Sequence, residues 1–118
     1  VISDAVKGAM EHGAAAAGVL VKDTIKQVSQ EGRVLGTPER SGLVCVQTPQ
    51  VFKAALYQDA LAKAADNHWH VTDDCALCER AGYDVYITPG DYANLKITTA
   101  EDIAVAESLL QSRGEDML

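Results

Sequence analysis

Apolar residues recur three and four apart at Ile2, Ala5, Val6, Ala9 and Met10, the repeat of an amphipathic helix, and His12-Gly13 supplies its stop. The run Ala14–Val21 (AAAAGVLV) carries no charge. Its alanines suit a helix, but Gly18 and the β-branched Val19 and Val21, so soon after a glycine stop, favour a strand buried on both faces. Helix followed by buried strand is half of a βαβ unit. Thr24–Val28 then alternates polar and apolar like a half-exposed strand. Gln30-Glu31-Gly32 signals a turn, Arg33-Val34-Leu35 a return strand, and Gly36-Thr37-Pro38 its close. This hairpin has little apolar mass, and a lone two-stranded ribbon is marginal in water, so it is expected to lean on another domain or subunit.

Leu43–Val46 is a second short apolar run. Thr48-Pro49 reads as the N-cap and first position of a helix carrying Phe52, Ala55, Leu56, Ala60, Leu61 and Ala64 and fading near Asn67. Thr72 is the expected cap of the next helix, with Asp73 and Asp74 in its first turn and Gly82 as its stop. Asp84–Thr88 alternates as a strand and ends at Pro89-Gly90. Thr99 caps a last helix, with Glu101 and Asp102 in the first turn, Ile103, Val105, Ala106, Leu109 and Leu110 along it, and Gly114 at its end. Helices and strands alternate through most of the chain, which predicts an α/β layered domain with a mostly parallel sheet. The pattern is already under way at Val1, and no Met opens it, so a piece of a longer protein is expected.

Composition narrows the function classes. The 118 residues are 47% hydrophobic and 23% charged, the balance of a globular protein. The net charge of −7 argues against a broad nucleic-acid surface, and the longest apolar run is far short of the ~20 residues of a membrane span. Three cysteines are too few for a disulfide scaffold, which makes a reducing cytoplasm the expected setting. The charge is uneven. Residues 22–53 hold five cations against three anions, a net +2, and the remainder carries −9. A basic stretch on an acidic body suits a small anionic ligand, although for this feature alone a solvated hairpin with ordinary surface charges is the commoner explanation.

Two cations stand out. Arg40, in Glu39-Arg40-Ser41-Gly42, has small neighbours that leave its guanidinium room to fork onto a phosphate. Lys96 lies where a strand end should meet a helix start, the place where ligands collect in open α/β sheets. A competing constellation, His68, His70, Cys75 and Cys78 (H-x-H-x4-C-x2-C), has the donors of a zinc or redox site. Three apart on a helix beside Asp73 and Asp74, the cysteines are better read as packing residues. No packing partner for Trp69 is apparent.

The blocks Val21-Lys22-Asp23-Thr24-Ile25-Lys26, Glu39-Arg40-Ser41-Gly42-Leu43, Gln47-Thr48-Pro49-Gln50-Val51-Phe52, Thr72-Asp73-Asp74 and Asn94-Leu95-Lys96-Ile97-Thr98-Thr99-Ala100-Glu101-Asp102 occur in this order. Together they resemble the second half of the 2-C-methyl-D-erythritol 4-phosphate cytidylyltransferase family. The resemblance implies a Rossmann-like nucleotidyltransferase fold, of which residues 1–118 are the C-terminal part, with 22–40 as a protruding arm exchanged across a homodimer. It implies the joining of CTP and methylerythritol phosphate to give the CDP-methylerythritol product and pyrophosphate, in the non-mevalonate route to isoprenoids. It places Arg40 and Lys96 on the acceptor phosphate as the catalytic cations, with Thr24 and Thr48 as further substrate-binding residues. The family's glycine-rich CTP loop, its transition-state cations and its acidic ligand for a divalent cation, usually magnesium, belong to the first half and match nothing here. By the same resemblance this chain alone neither binds CTP nor turns over. Ribitol-5-phosphate cytidylyltransferase, with the same architecture, and a non-catalytic dimerisation module are the alternatives.

Overall fold

A computed structural model describes residues 1–116. Helix α1 (Ile2–His12) leads into strand β1 (Ala14–Leu20) through Gly13, whose left-handed backbone (φ 95°) lets its N–H close the helix on the Ala9 carbonyl. Two short strands, β2 (Gln27–Val28) and β3 (Val34–Gly36), form the expected ribbon, closed by a turn with Gly32 at φ 88°. The 3-10 turn Arg40–Gly42 precedes β4 (Val44–Phe52). Helices α2 (Ala54–Asn67) and α3 (Asp74–Arg80), strand β5 (Tyr86–Pro89) and helix α4 (Ala100–Asp116) complete the chain.

The main sheet has the order β4-β1-β5 and is mixed: β1 runs antiparallel to β4 and parallel to β5. This corrects the expectation of a mostly parallel sheet. The physical cause is β4, whose first half alone has the apolar signature of a strand. Thr48-Pro49 does not open a helix but lies inside β4, and α2 begins only at Ala54. A Thr-Pro pair suits a helix start and a strand bulge equally, and here the sheet pairing of the flanking residues decides. Asp73, not Thr72, caps α3, its carboxylate accepting the Ala76 N–H. An aspartate one residue nearer the first turn offers the stronger acceptor to the orphan N–H groups. The last helix passes through Gly114 to Asp116, since glycine stops a helix only where it takes up the left-handed cap.

Ala14 to Ala17 are fully buried, as the uncharged run predicts. Register puts Ala15 and Ala17 on one face with Tyr86 and Thr88, beneath α1, and Ala14 and Ala16 on the other with Gln50 and Phe52. Small side chains allow close layers: a Cβ at Gly8 of α1 would lie 2.7 Å from Thr88 Cγ2 and 2.9 Å from Ala15 Cβ. On the opposite face Ala60, Leu77, Cys78 and Ala81 form the buried cluster, with Phe52, Leu56, Trp69 and Tyr83 packed around it. Trp69 therefore has the partner its sequence context did not reveal, and the Arg80 guanidinium stands 4.8 Å from its ring centre.

Candidate functional site

Strand β4 builds the site by going out of register. Ala16 pairs with Gln50 and Gly18 with Val46, so Gln47, Thr48 and Pro49 all stand opposite Ala17. The Thr48–Pro49 peptide in this bulge is cis. The bulge frees the Gln47 side chain from the ladder and turns it toward the loop after β5. Its Oε1 accepts the Asp91 N–H (3.2 Å) and the Asn94 Nδ2 (3.3 Å), and its Nε2 donates to the Asp91 carbonyl (2.8 Å) and the Asn94 carbonyl (3.4 Å). Asn94 Nδ2 also donates to the Thr48 carbonyl at 2.6 Å.

This loop carries Lys96. Two residues beyond it, the Asp102 carboxylate accepts from Thr98 N (3.0 Å), Thr98 Oγ1 (2.9 Å) and Thr99 N (3.1 Å), while Thr99 Oγ1 accepts the Asp102 N–H (3.2 Å). The reciprocal box confirms Thr99 as the start of α4. Donation from Thr98, first from its backbone and then from its hydroxyl, with Thr99 behind it, holds the Asp102 carboxyl below its ordinary value. Lys96 is thus strung between two anchored turns.

Lys96 and Thr48 line one groove of about 380 Å³, together with Gln47, Gln50, Tyr92 and Asn94. Among the described residues the Lys96 ammonium has no carboxylate or hydrogen-bond partner, so it is available to an anion. A wider cavity of about 820 Å³ adjoins at Thr48, Asn94 and Leu95, walled by Pro49, Leu109, Leu110 and Arg113.

The other two expected residues lie elsewhere in the chain. Thr24 and Arg40 are exposed and sit at the two ends of the ribbon, and neither lines the groove. The Arg40 guanidinium donates to the Lys22 carbonyl. Lys22 in turn places its ammonium 3.7 Å from the Tyr92 ring centre, and Tyr92 Oη donates to the Leu20 carbonyl at 2.8 Å. The root of the arm and the wall of the groove therefore meet at Tyr92.

Gln47, Tyr92 and Asn94 were not singled out from sequence. Gln47 lies 47 residues from Asn94, and hydrogen bonding across that separation leaves no periodic signal. The available sign was that Gln47 and Asn94 each head a family block, one beside Thr48 and the other two residues before Lys96.

Cys75 and Cys78 are buried, as the packing reading expects. Burial first, then Asp73 and Glu79, pushes the Cys75 thiol up to about 11, and burial raises Cys78 as well. A thiol held neutral in this way is a poor nucleophile and a poor zinc ligand. Among the described residues no three His, Cys, Asp or Glu side chains converge to hold a metal ion. No step is therefore assigned to a metal bound by this chain. Among the described residues no helix is long and apolar enough to cross a membrane.

Residues 1–112 match the family IspD: 2-C-methyl-D-erythritol 4-phosphate cytidylyltransferase. The chain belongs to this family. It is 46% identical over 109 residues to the 2-C-methyl-D-erythritol 4-phosphate cytidylyltransferase of Clostridium botulinum, covering 92% of this chain and 49% of that protein. It is 52% identical over 99 residues to the enzyme of that name from Thermosynechococcus vestitus, covering 84% and 42%. The crystal structure of 4-diphosphocytidyl-2C-methyl-D-erythritol synthase from Anaerococcus prevotii superimposes with a TM-score of 0.84 at 32% identity, over 93% of this chain and 51% of the other. The Thermus thermophilus cytidylyltransferase gives 0.80 at 31%, over 93% and 54%. The chain spans about half the length of the relatives it matches. The mixed α/β architecture is that of these structural relatives.

Proposed function

We propose that this chain is the acceptor-binding, C-terminal half of an IspD enzyme. The complete protein, with the polypeptide that makes up the rest of the relatives' length, converts CTP and 2-C-methyl-D-erythritol 4-phosphate to the CDP-methylerythritol product and pyrophosphate. The observation that carries this reading is the groove where Thr48 and the unpaired Lys96 ammonium face the same space, in a chain of this family.

In the reaction an oxygen of the acceptor phosphate attacks the α-phosphorus of CTP. A new P–O bond forms, the bond from the α-phosphorus to the bridging oxygen of the β-phosphate breaks, and pyrophosphate leaves with that electron pair. Little covalent chemistry falls to the protein, so positioning and neutralisation of charge provide the rate. Lys96 holds the attacking phosphate and offsets the repulsion between two phosphates, and the Thr48 hydroxyl orients it. Thr24 and Arg40 reach the same phosphate from the partner subunit, on the exchanged arm. A divalent cation, magnesium, serves the nucleotide with ligands outside this chain. The setting is the cytoplasm.

The test is steady-state kinetics of the complete enzyme. Charge-assisted hydrogen bonds contribute about 1.5–3 kcal/mol, so Lys96→Ala and Arg40→Ala should each raise the acceptor KM by roughly tenfold or more. The KM for CTP should stay nearly constant. An equal rise in both constants would overturn the assignment, and a higher kcat/KM with ribitol 5-phosphate than with methylerythritol phosphate would overturn the choice of acceptor.

A further inference from the structure

Gln47 contributes nothing to the chemistry above, yet its amide is the most heavily used side chain of the site. It imitates a strand partner, since its Oε1 and Nε2 take up both backbone groups of Asp91, as a peptide unit would in a ladder, and the same two atoms reach Asn94. Only one orientation of the amide satisfies this set, because the Asp91 N–H demands an acceptor and the Asp91 carbonyl a donor. Gln47 is half-buried, so water competes poorly for these bonds. Its neighbour Thr48 is joined to the same loop through the Asn94 amide. One bulge thus sets two things together: where Thr48 stands, and where the segment 91–96 runs.

We propose that Gln47 is a positioning residue that fixes Lys96 opposite Thr48, so that both meet one phosphate. This rests on the reading of Lys96 and Thr48 as acceptor ligands. The alternative anchor on the far side of Lys96, the Asp102 box, ties Thr98 and Thr99 to α4 but makes no bond to β4. Without Gln47 and Asn94, the segment from Gly90 to Ile97 would hold its place through the Gly90 N–H to Gly18 carbonyl bond and the Tyr92 hydroxyl, neither of which touches the bulge. The ammonium would then sample positions that miss the phosphate, and preorganisation would be lost before any contact with substrate is made.

The complete enzyme carrying Gln47→Met, a change of similar length without hydrogen bonds, should show an acceptor KM about five- to tenfold higher, with the CTP KM unchanged. Asn94→Ala, which removes the amide's bonds to Gln47 and the Thr48 carbonyl, should move the acceptor KM in the same direction if Gln47→Met fails to fold. The decisive readout is the cycle with Lys96→Ala. If Gln47 acts through Lys96, the double variant has the acceptor KM of Lys96→Ala alone, because there is no longer an ammonium to place. Multiplying effects would show that Gln47 acts independently and would overturn the proposal. An unchanged acceptor KM in Gln47→Met beside a raised one in Lys96→Ala would overturn the positioning role while leaving the site intact. An unchanged acceptor KM in Lys96→Ala would overturn the site itself.

Discussion

A single carboxylate shows how side chains set the local frame of the site. Asp102 accepts three hydrogen bonds at the first turn of α4, and these hold its carboxyl below the ordinary value of 3.8. A carboxyl depressed in the folded state contributes stability above its unfolded value and loses it as the pH falls through the lower folded value. The wild-type chain should therefore lose thermal stability as the pH falls below about 4, and Asp102→Ala should lose less over the same range while starting from a lower Tm. Circular-dichroism melts at stepped pH would decide this, and parallel losses would show that the box contributes nothing. The cysteines make a second case. Cys45 is exposed, whereas Cys75 and Cys78 are buried with raised thiols. Iodoacetamide at pH 8 should modify the exposed Cys45 first and reach the other two only on unfolding, and mass spectrometry of timed samples would show the order.

At the scale of elements, legibility followed local chemistry. Helix α1, its Gly13 stop and the buried alanine strand could be read from sequence because spacing, a left-handed glycine and an uncharged run are properties of neighbouring residues. Strand β4 could not, since what holds Gln47-Thr48-Pro49 in a strand is pairing with β1, some thirty residues earlier. The site divides in the same way. Lys96, expected from its place between a strand end and a helix start, and Thr48, expected from the family resemblance, share a groove, while Gln47 and Asn94, which head the same family blocks, act through contacts that no local pattern encodes. Gly18 shows how tightly the central strand is set. A Cβ there would lie 2.9 Å from Ile87 Cγ2 and 3.2 Å from the Cys45 carbonyl, and would also press on Val44. The backbone carbonyl cannot yield as a flexible side chain would. Gly18→Ala should cost about 1–3 kcal/mol, read as a lower urea midpoint. A midpoint unchanged from wild type would mean that the β4-β1-β5 sheet is loosely packed at its centre.

The whole molecule is extended. Its radius of gyration is 17.3 Å, against about 13.5 Å for a compact chain of this length. The excess comes from elements with little to pack on: none of residues 100–113 of α4 is buried, and the ribbon exposes 55% of Val28, 51% of Val34 and 55% of Leu35. A two-stranded ribbon with bare apolar residues has no stability of its own to keep it in place. On the function proposed above, a second copy covers these residues, and the same arm delivers Thr24 and Arg40 to the other subunit's phosphate. Assembly and catalysis should therefore fail together. In the complete enzyme, replacing residues 25–37 with two glycines keeps Thr24 and Arg40 but removes the ribbon between them. Sedimentation velocity should show a dimer becoming monomeric at micromolar concentration, and the acceptor KM should rise as it does in Arg40→Ala, with the CTP KM unmoved. A dimer that persists would place the interface elsewhere. A monomer with an unaltered acceptor KM would mean that Arg40 serves its own chain, and would return the arm to a purely structural role.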